Sequence, residues 1–149
     1  MLKNAVIAVA TVWLMSTPAR AASDAETAKE IVAMERKALD GWIKGNPDPT
    51  LAIADADISY FHVMTDKRLD GIAALKALFE QYRGRPLFES YDMVDSKVVV
   101  NGDVAVLSYL VVFRNGTTTS RYNSTQVFQR KKEGWRVVHS HWSQTRPGA

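Results

Sequence analysis

The chain of 149 residues carries 19 lysines and arginines against 16 acidic residues and has no cysteine. Without cysteine there is no disulfide, thiol catalysis or thiolate metal site, so packing must hold the fold together. A formal charge of +3 is too small to recruit phosphate backbones through its field, and no basic stripe appears apart from the turn-flanking run Arg130 to Lys132, so nucleic acid is not an expected partner.

The N-terminus reads as an export signal. Lys3 supplies a positive start, Ala5 to Met15 an apolar stretch too short for a stable membrane anchor, and Ala19 and Ala21 an A-x-A cleavage site behind Pro18. Cleavage after Ala21 would release residues 22–149 as one periplasmic or secreted domain with no membrane span. Losing Lys3 and Arg20 leaves 17 basic residues against 16 acidic ones, a nearly neutral surface. That length and apolar content suit a single core.

From Asp24 to Lys44 the pattern is helical. Ala28, Ile31, Val32, Ala38, Leu39, Trp42 and Ile43 share one face, Ser23 or Asp24 can cap the start, and Gly45 ends the run. Asn46 to Pro49 forces a turn before a short helical piece at about Thr50 to Ala54. A brief strand, Ile58 to Val63, runs into a polar turn from Thr65 to Arg68. Asp70 and Gly71 open a second helix whose apolar positions Ile72, Leu75, Leu78, Phe79 and Tyr82 precede Gly84 and Pro86.

Beyond that point the period changes to two. Strands are expected at Glu89–Val100, Val104–Asn115, Thr117–Arg130 and Trp135–Thr145, divided by Asn101-Gly102, Asn115-Gly116 and Glu133-Gly134. This order predicts an α+β fold in which a curved antiparallel sheet wraps the N-terminal helices and leaves a cavity at its open end.

Several segments resemble the nuclear transport factor 2-like superfamily, its SnoaL-like branch, and the association (hub) domain of calcium/calmodulin-dependent kinase II. They are Trp42-x-x-Gly45, Asp57 to Phe61 (DISYF), Leu69-Asp70-Gly71, Tyr122 to Phe128 (YNSTQVF) and Gly134 to Ser143 (GWRVVHSHWS). The resemblance implies a cone-shaped, cystatin-like fold and a homo-oligomer, usually a dimer. It does not fix a chemistry, since such domains include isomerases, cyclases, dehydratases, ligand binders and assembly modules.

The resemblance also implies that positions holding cavity arginines in the kinase hub fall on Val111, Gln126 and Trp142. An apolar wall with one amide suits an uncharged organic ligand better than an anion. Strand alternation directs Tyr109, Phe113, Ser124, Phe128, Val138 and Ser140 inward as well, with Leu75 facing them from the second helix. The same residues could equally be core packing.

Glu35 lies between Ile31 and Leu39 on the apolar stripe, where a charge is rare unless paired. It can snorkel to the rim, or face the pocket as a desolvated carboxyl able to move a proton. In the second reading Glu35 is the base of an isomerase or cyclase, and Tyr60 or Tyr109 donates to the developing oxyanion. Asp57, just before the strand, is a further candidate, although acids there commonly cap turns. His139 and His141 could present two imidazoles to zinc, with His62 as third ligand. If Trp142 points inward, however, alternation sends both to the opposite face, toward an interface between subunits. No phosphate loop, nucleotide fingerprint or Ca²⁺ loop is present, and no cofactor or metal is expected.

Overall fold

The computed structural model describes residues 17–145. Its elements, in chain order, are α1 (Thr17–Ile43), α2 (Asp48–Ile53), β1 (Ala54–Phe61), β2 (Leu69–Asp70), α3 (Ile72–Glu80), β3 (Ser90–Asn101), β4 (Val104–Asn115), β5 (Thr118–Lys131) and β6 (Gly134–Gln144). Most of the expected export signal lies outside the described residues. Helix α1 runs through the expected cleavage site, upstream of the caps expected at Ser23 or Asp24. The Ala-Arg-Ala-Ala run favours helix, and Pro18 is tolerated in a first turn. Among the described residues no helix is long and apolar enough to cross a membrane.

Six strands form one sheet in the order β2-β1-β6-β5-β4-β3. Strands β3 to β6 are the expected antiparallel meander, with left-handed glycines at Gly102 and Gly116 in the first two hairpins. The short elements pair in ways that differ from the sequence expectation. Strand β1 joins β6 in parallel, with Ser59 opposite His139 and Phe61 opposite His141. Leu69 and Asp70 form a two-residue edge strand against Tyr60 and Ser59, so α3 starts only at Ile72. That helix also ends early, at Glu80, where three-residue backbone bonds from Tyr82 to Phe79 and from Arg83 to Glu80 tighten the chain toward Gly84.

The buried stripe of α1, Thr27, Ile31, Glu35, Ala38, Leu39 and Trp42, lies against the concave side of the sheet. Gly45 ends this helix at φ +64. A Cβ there would stand 2.6 Å from the Arg85 nitrogen, so the close approach of the two loops requires glycine. Ile31, Leu75, Leu107, Val111 and Phe128 are among the largest fully buried side chains and mark the core.

A register shift between Val127 and Phe128 places Val137 opposite Phe128 but His139 opposite Val127, so Val138 is an extra residue in β6. This bulge corrects the expectation for Val138. The inward side chain is Val137, 4 % exposed, and alternation restarts with Ser140 and Trp142 inward. The two histidines therefore face out. His139 Nδ1 contacts Ser59 Oγ at 2.7 Å, and Phe61 packs between the rings of His139 and His141.

Candidate functional site

Between the helices and the concave sheet lies a cavity of about 260 Å³. Its wall is mostly apolar, with Leu39 and Trp42 from α1, Leu75 and Phe79 from α3, and Phe113, Val137 and Trp142 from the meander. The side chains that carry chemistry arrive from separate elements. Glu35 comes from α1, Thr50 from α2, Tyr60 from β1, His62 from the loop after it, Gln126 from β5 and Ser140 from β6.

Glu35 is 3 % exposed and faces this cavity rather than its rim. Tyr109 donates its hydroxyl to Glu35 Oε1 at 2.5 Å, and the Gln126 amide donates to the same oxygen at 3.3 Å. Among the described residues Oε2 receives no protein donor. Burial lifts the carboxyl from 4.5 to about 7, against the opposing pull of these two hydrogen bonds. Near neutral pH it can thus either give or take a proton.

Burial and the Glu35 charge both push the Tyr60 and Tyr109 hydroxyls upward, so each remains a donor. Tyr109 is committed to Glu35, whereas the Tyr60 hydroxyl has no protein partner among the described residues. His62 stacks on Tyr60 with ring centroids 5.7 Å apart and planes 4° apart. Its Nδ1 accepts the Met64 backbone N–H at 3.2 Å, which leaves Nε2 as the protonated nitrogen of the neutral ring. Burial lowers the His62 pKa and favours that neutral form. The Trp142 indole N–H donates to Ser140 Oγ at 3.1 Å, pinning the ring across the wall between Tyr109 and Phe113.

Of the residues singled out from sequence, Glu35, Tyr60, Leu75, Gln126, Ser140 and Trp142 line the cavity together. Four do not. Asp57 is exposed, because β1 already runs from Ala54 and its alternation sends Ile58 and Tyr60 inward but Asp57 out, where its N–H meets Asp55 Oδ1 at 3.1 Å. Val111 is inward but fully covered. Its neighbours on that face, Tyr109 and Phe113, both pack on the Trp142 ring, and Val111 itself is 0 % exposed. Phe128 fills the core beside Ala105 and Val137 rather than the cavity wall. Tyr109 stands behind the wall and holds Glu35, so it is not the free donor of the sequence reading; Tyr60 is the tyrosine of that pair that lines the cavity.

Sequence reasoning passed over Thr50 and Tyr122, and treated His62 only as a metal ligand. His62 and Tyr122 could have been found by counting two residues from an inward neighbour, Tyr60 and Ser124. For Thr50, on a six-residue helix, no sequence signal exists. Among the described residues no three His, Cys, Asp or Glu side chains stand close enough together to hold a metal ion. His62 faces the cavity while His139 and His141 face away from it.

A profile of the calcium/calmodulin dependent protein kinase II association domain matches residues 27–146. Among solved structures, a candidate ketosteroid isomerase from Parabacteroides distasonis superposes with a TM-score of 0.71 at 24% identity, covering 78% of this chain and 86% of that one. The kinase II hub of S. rosetta gives 0.64 at 24% identity, over 78% of this chain and 95% of that one. A protein from Novosphingobium aromaticivorans, nuclear transport factor 2-like with a cystatin-like fold, gives 0.69 at 19% identity over 91% and 94%. The comparison with curated protein sequences gave no match. With the helices, the curved unclosed sheet and the profile in agreement, the chain belongs to the calcium/calmodulin dependent protein kinase II association domain family and has the nuclear transport factor 2-like fold.

Proposed function

We propose that this domain self-associates and holds a small, uncharged, mostly apolar organic molecule in its cone, and that it does so outside the cytoplasm once residues 1–21 are removed. The observation that carries the ligand reading is the buried Glu35 carboxyl, set in a mostly apolar cavity with one oxygen lacking a protein donor among the described residues. Keeping such a group desolvated is costly unless something is gained from it. Self-association rests on the family, and on the exposed Phe61 beside the outward histidines. The export reading rests on the signal pattern of the N-terminus.

Native mass spectrometry of the mature protein purified from its source tests these readings together. The expected result is a particle of two or more chains, each starting at Ala22 and each retaining a small molecule. Single chains starting at Met1, with no bound mass and no uptake from the organism's metabolite extract, would overturn them.

A second reading, an acid–base enzyme of the isomerase, cyclase or dehydratase type, is favoured by one observation. Glu35 has a pKa raised to about 7, and the unpartnered Tyr60 hydroxyl shares its cavity. On this reading Glu35 moves the proton and Tyr60 donates to the oxygen that gains charge. Turnover of a substrate identified from the retained molecule should then fall at least a hundredfold in Glu35→Gln, in line with a general acid–base contribution of about that size. Unchanged turnover would remove the idea. A vestigial pocket is disfavoured, because Trp142 and Phe128 leave the cavity open.

A further inference from the structure

The ligand-binding reading above can be taken one step further, to the chemistry of the molecule. We infer that the cavity receives a neutral, ring-sized molecule through a carbonyl-type acceptor oxygen, held by Glu35 Oε2–H and the Tyr60 hydroxyl, and that binding takes up a proton.

The geometry of the polar groups leads there. Both protein donors on Glu35 converge on Oε1. When the carboxyl is protonated, its O–H therefore belongs to Oε2, the oxygen left without a protein donor. Tyr60 is 7 % exposed, lines the same cavity and has no protein partner among the described residues. Thr50 Oγ1 is a third polar atom of this wall, buried and without a hydrogen-bond partner. A ligand that pairs the Thr50 hydroxyl restores a hydrogen bond that burial denies it. With Glu35 protonated, all three groups are hydroxyls able to donate, so the complementary group is an acceptor.

Charge sets the second limit. Among the described residues no lysine, arginine, aspartate or second glutamate lines the cavity. An anion would lose its hydration without meeting a counter-charge, and it would oppose ionised Glu35. The groups facing Glu35 are Tyr109 from β4, Gln126 from β5 and Tyr60 from β1, with uncharged Ser140 and Trp142 from β6 and apolar Leu75 and Phe79 from α3. His62, whose pKa burial lowers, is the imidazole of the cavity among the described residues. Size sets the third limit. An apolar cavity of about 150 Å³ takes benzene, so this one, at about 260 Å³, accommodates a substituted ring against Phe113 and Trp142.

Three probes of similar size separate the possibilities: acetophenone with its carbonyl, cumene with that carbonyl replaced by hydrocarbon, and benzoate with a charge. Calorimetric titration of the ligand-stripped protein at about pH 5.5 and about pH 8.5 brackets the Glu35 transition. Acetophenone should bind at least about tenfold more tightly at the lower pH, with a ceiling of about thirtyfold set by the fraction of protonated Glu35. Cumene should show no such dependence, and benzoate should bind more weakly than acetophenone. Glu35→Gln keeps an N–H donor, so acetophenone should still bind but with a flat pH profile. Tyr60→Phe, checked for folding by circular dichroism, should weaken acetophenone by about five- to tenfold and leave cumene unchanged.

Acetophenone binding as flat as cumene binding would overturn the inference while leaving the apolar pocket intact. A pH dependence that survives in Glu35→Gln would assign it to His62 and also overturn it, as would benzoate binding most tightly. If none of the three probes binds at millimolar concentration, the ligand-binding reading falls with it.

Discussion

The strongest physical demand in this molecule is the carboxyl of Glu35, and replacing it by an amide makes that demand measurable. The folded-state pKa is raised from 4.5 to about 7. Between those values the folded chain keeps a proton that the unfolded chain has released. Stability is therefore full below about pH 4.5, falls as pH rises by about 1.4 kcal/mol per unit, and levels off above about 7. Over the whole window the loss is about 3 kcal/mol, a large share of the roughly 5–15 kcal/mol that holds a domain folded. Glu35→Gln keeps an acceptor for Tyr109 and Gln126 but cannot ionise, so its stability lacks this term. Urea titrations of ligand-stripped protein at a series of pH values, at fixed protein concentration, give the difference between the two proteins. It should be within about 1 kcal/mol at the acid end and grow to about 3 kcal/mol in favour of the variant by pH 7.5. Parallel stability profiles would refute the reasoning, because Glu35 would then titrate like an exposed acid.

Gly45→Ala should destabilise the fold by more than about 1 kcal/mol in urea, since it forces a left-handed residue and a Cβ against the Arg85 backbone; an unchanged midpoint would contradict that close approach. Ser140→Ala removes the acceptor of the Trp142 indole and should cost about 1 kcal/mol, with altered tryptophan emission as the ring loses its tether; identical emission and stability would mean that the bond at 3.1 Å does not form in solution. Added Zn²⁺ should leave the melting temperature unchanged, because His62 faces the cavity and His139 and His141 the opposite surface; a stabilisation lost in both His62→Ala and His139→Ala would overturn that placement.

Local patterns carried most of the fold. The helical period found the buried face of α1 and exposed Glu35 as the misfit within it, and glycine turns located the four long strands of the meander. What could not be read were relations between distant segments. The parallel pairing of β1 with β6 joins residues about eighty positions apart, and nothing in either segment declares it. Leu69 and Asp70 become a strand only because Tyr60 and Ser59 offer a free edge. The site shows the same division. Alternation put Gln126, Ser140 and Trp142 on the cavity side, but it ran through the Val137-Val138 pair without any means of knowing which valine was supernumerary. It also could not foresee that Val111 would be wholly covered, or that Tyr109 would bond Glu35 instead of remaining free. Asp57, expected just before the strand, lies within it and on its outward face, because β1 begins four residues before Ile58.

The extra valine in β6 separates two properties that a regular strand would tie together. Excising Val138 would leave Val137, Ser140 and Trp142 on their present side and the histidines on theirs, since residues before and after it would again follow in step. What would change is the bend of the strand, and with it the capacity of the hollow. Gaining or losing one backbone unit there can therefore change the volume of the hollow without altering which side chains line it.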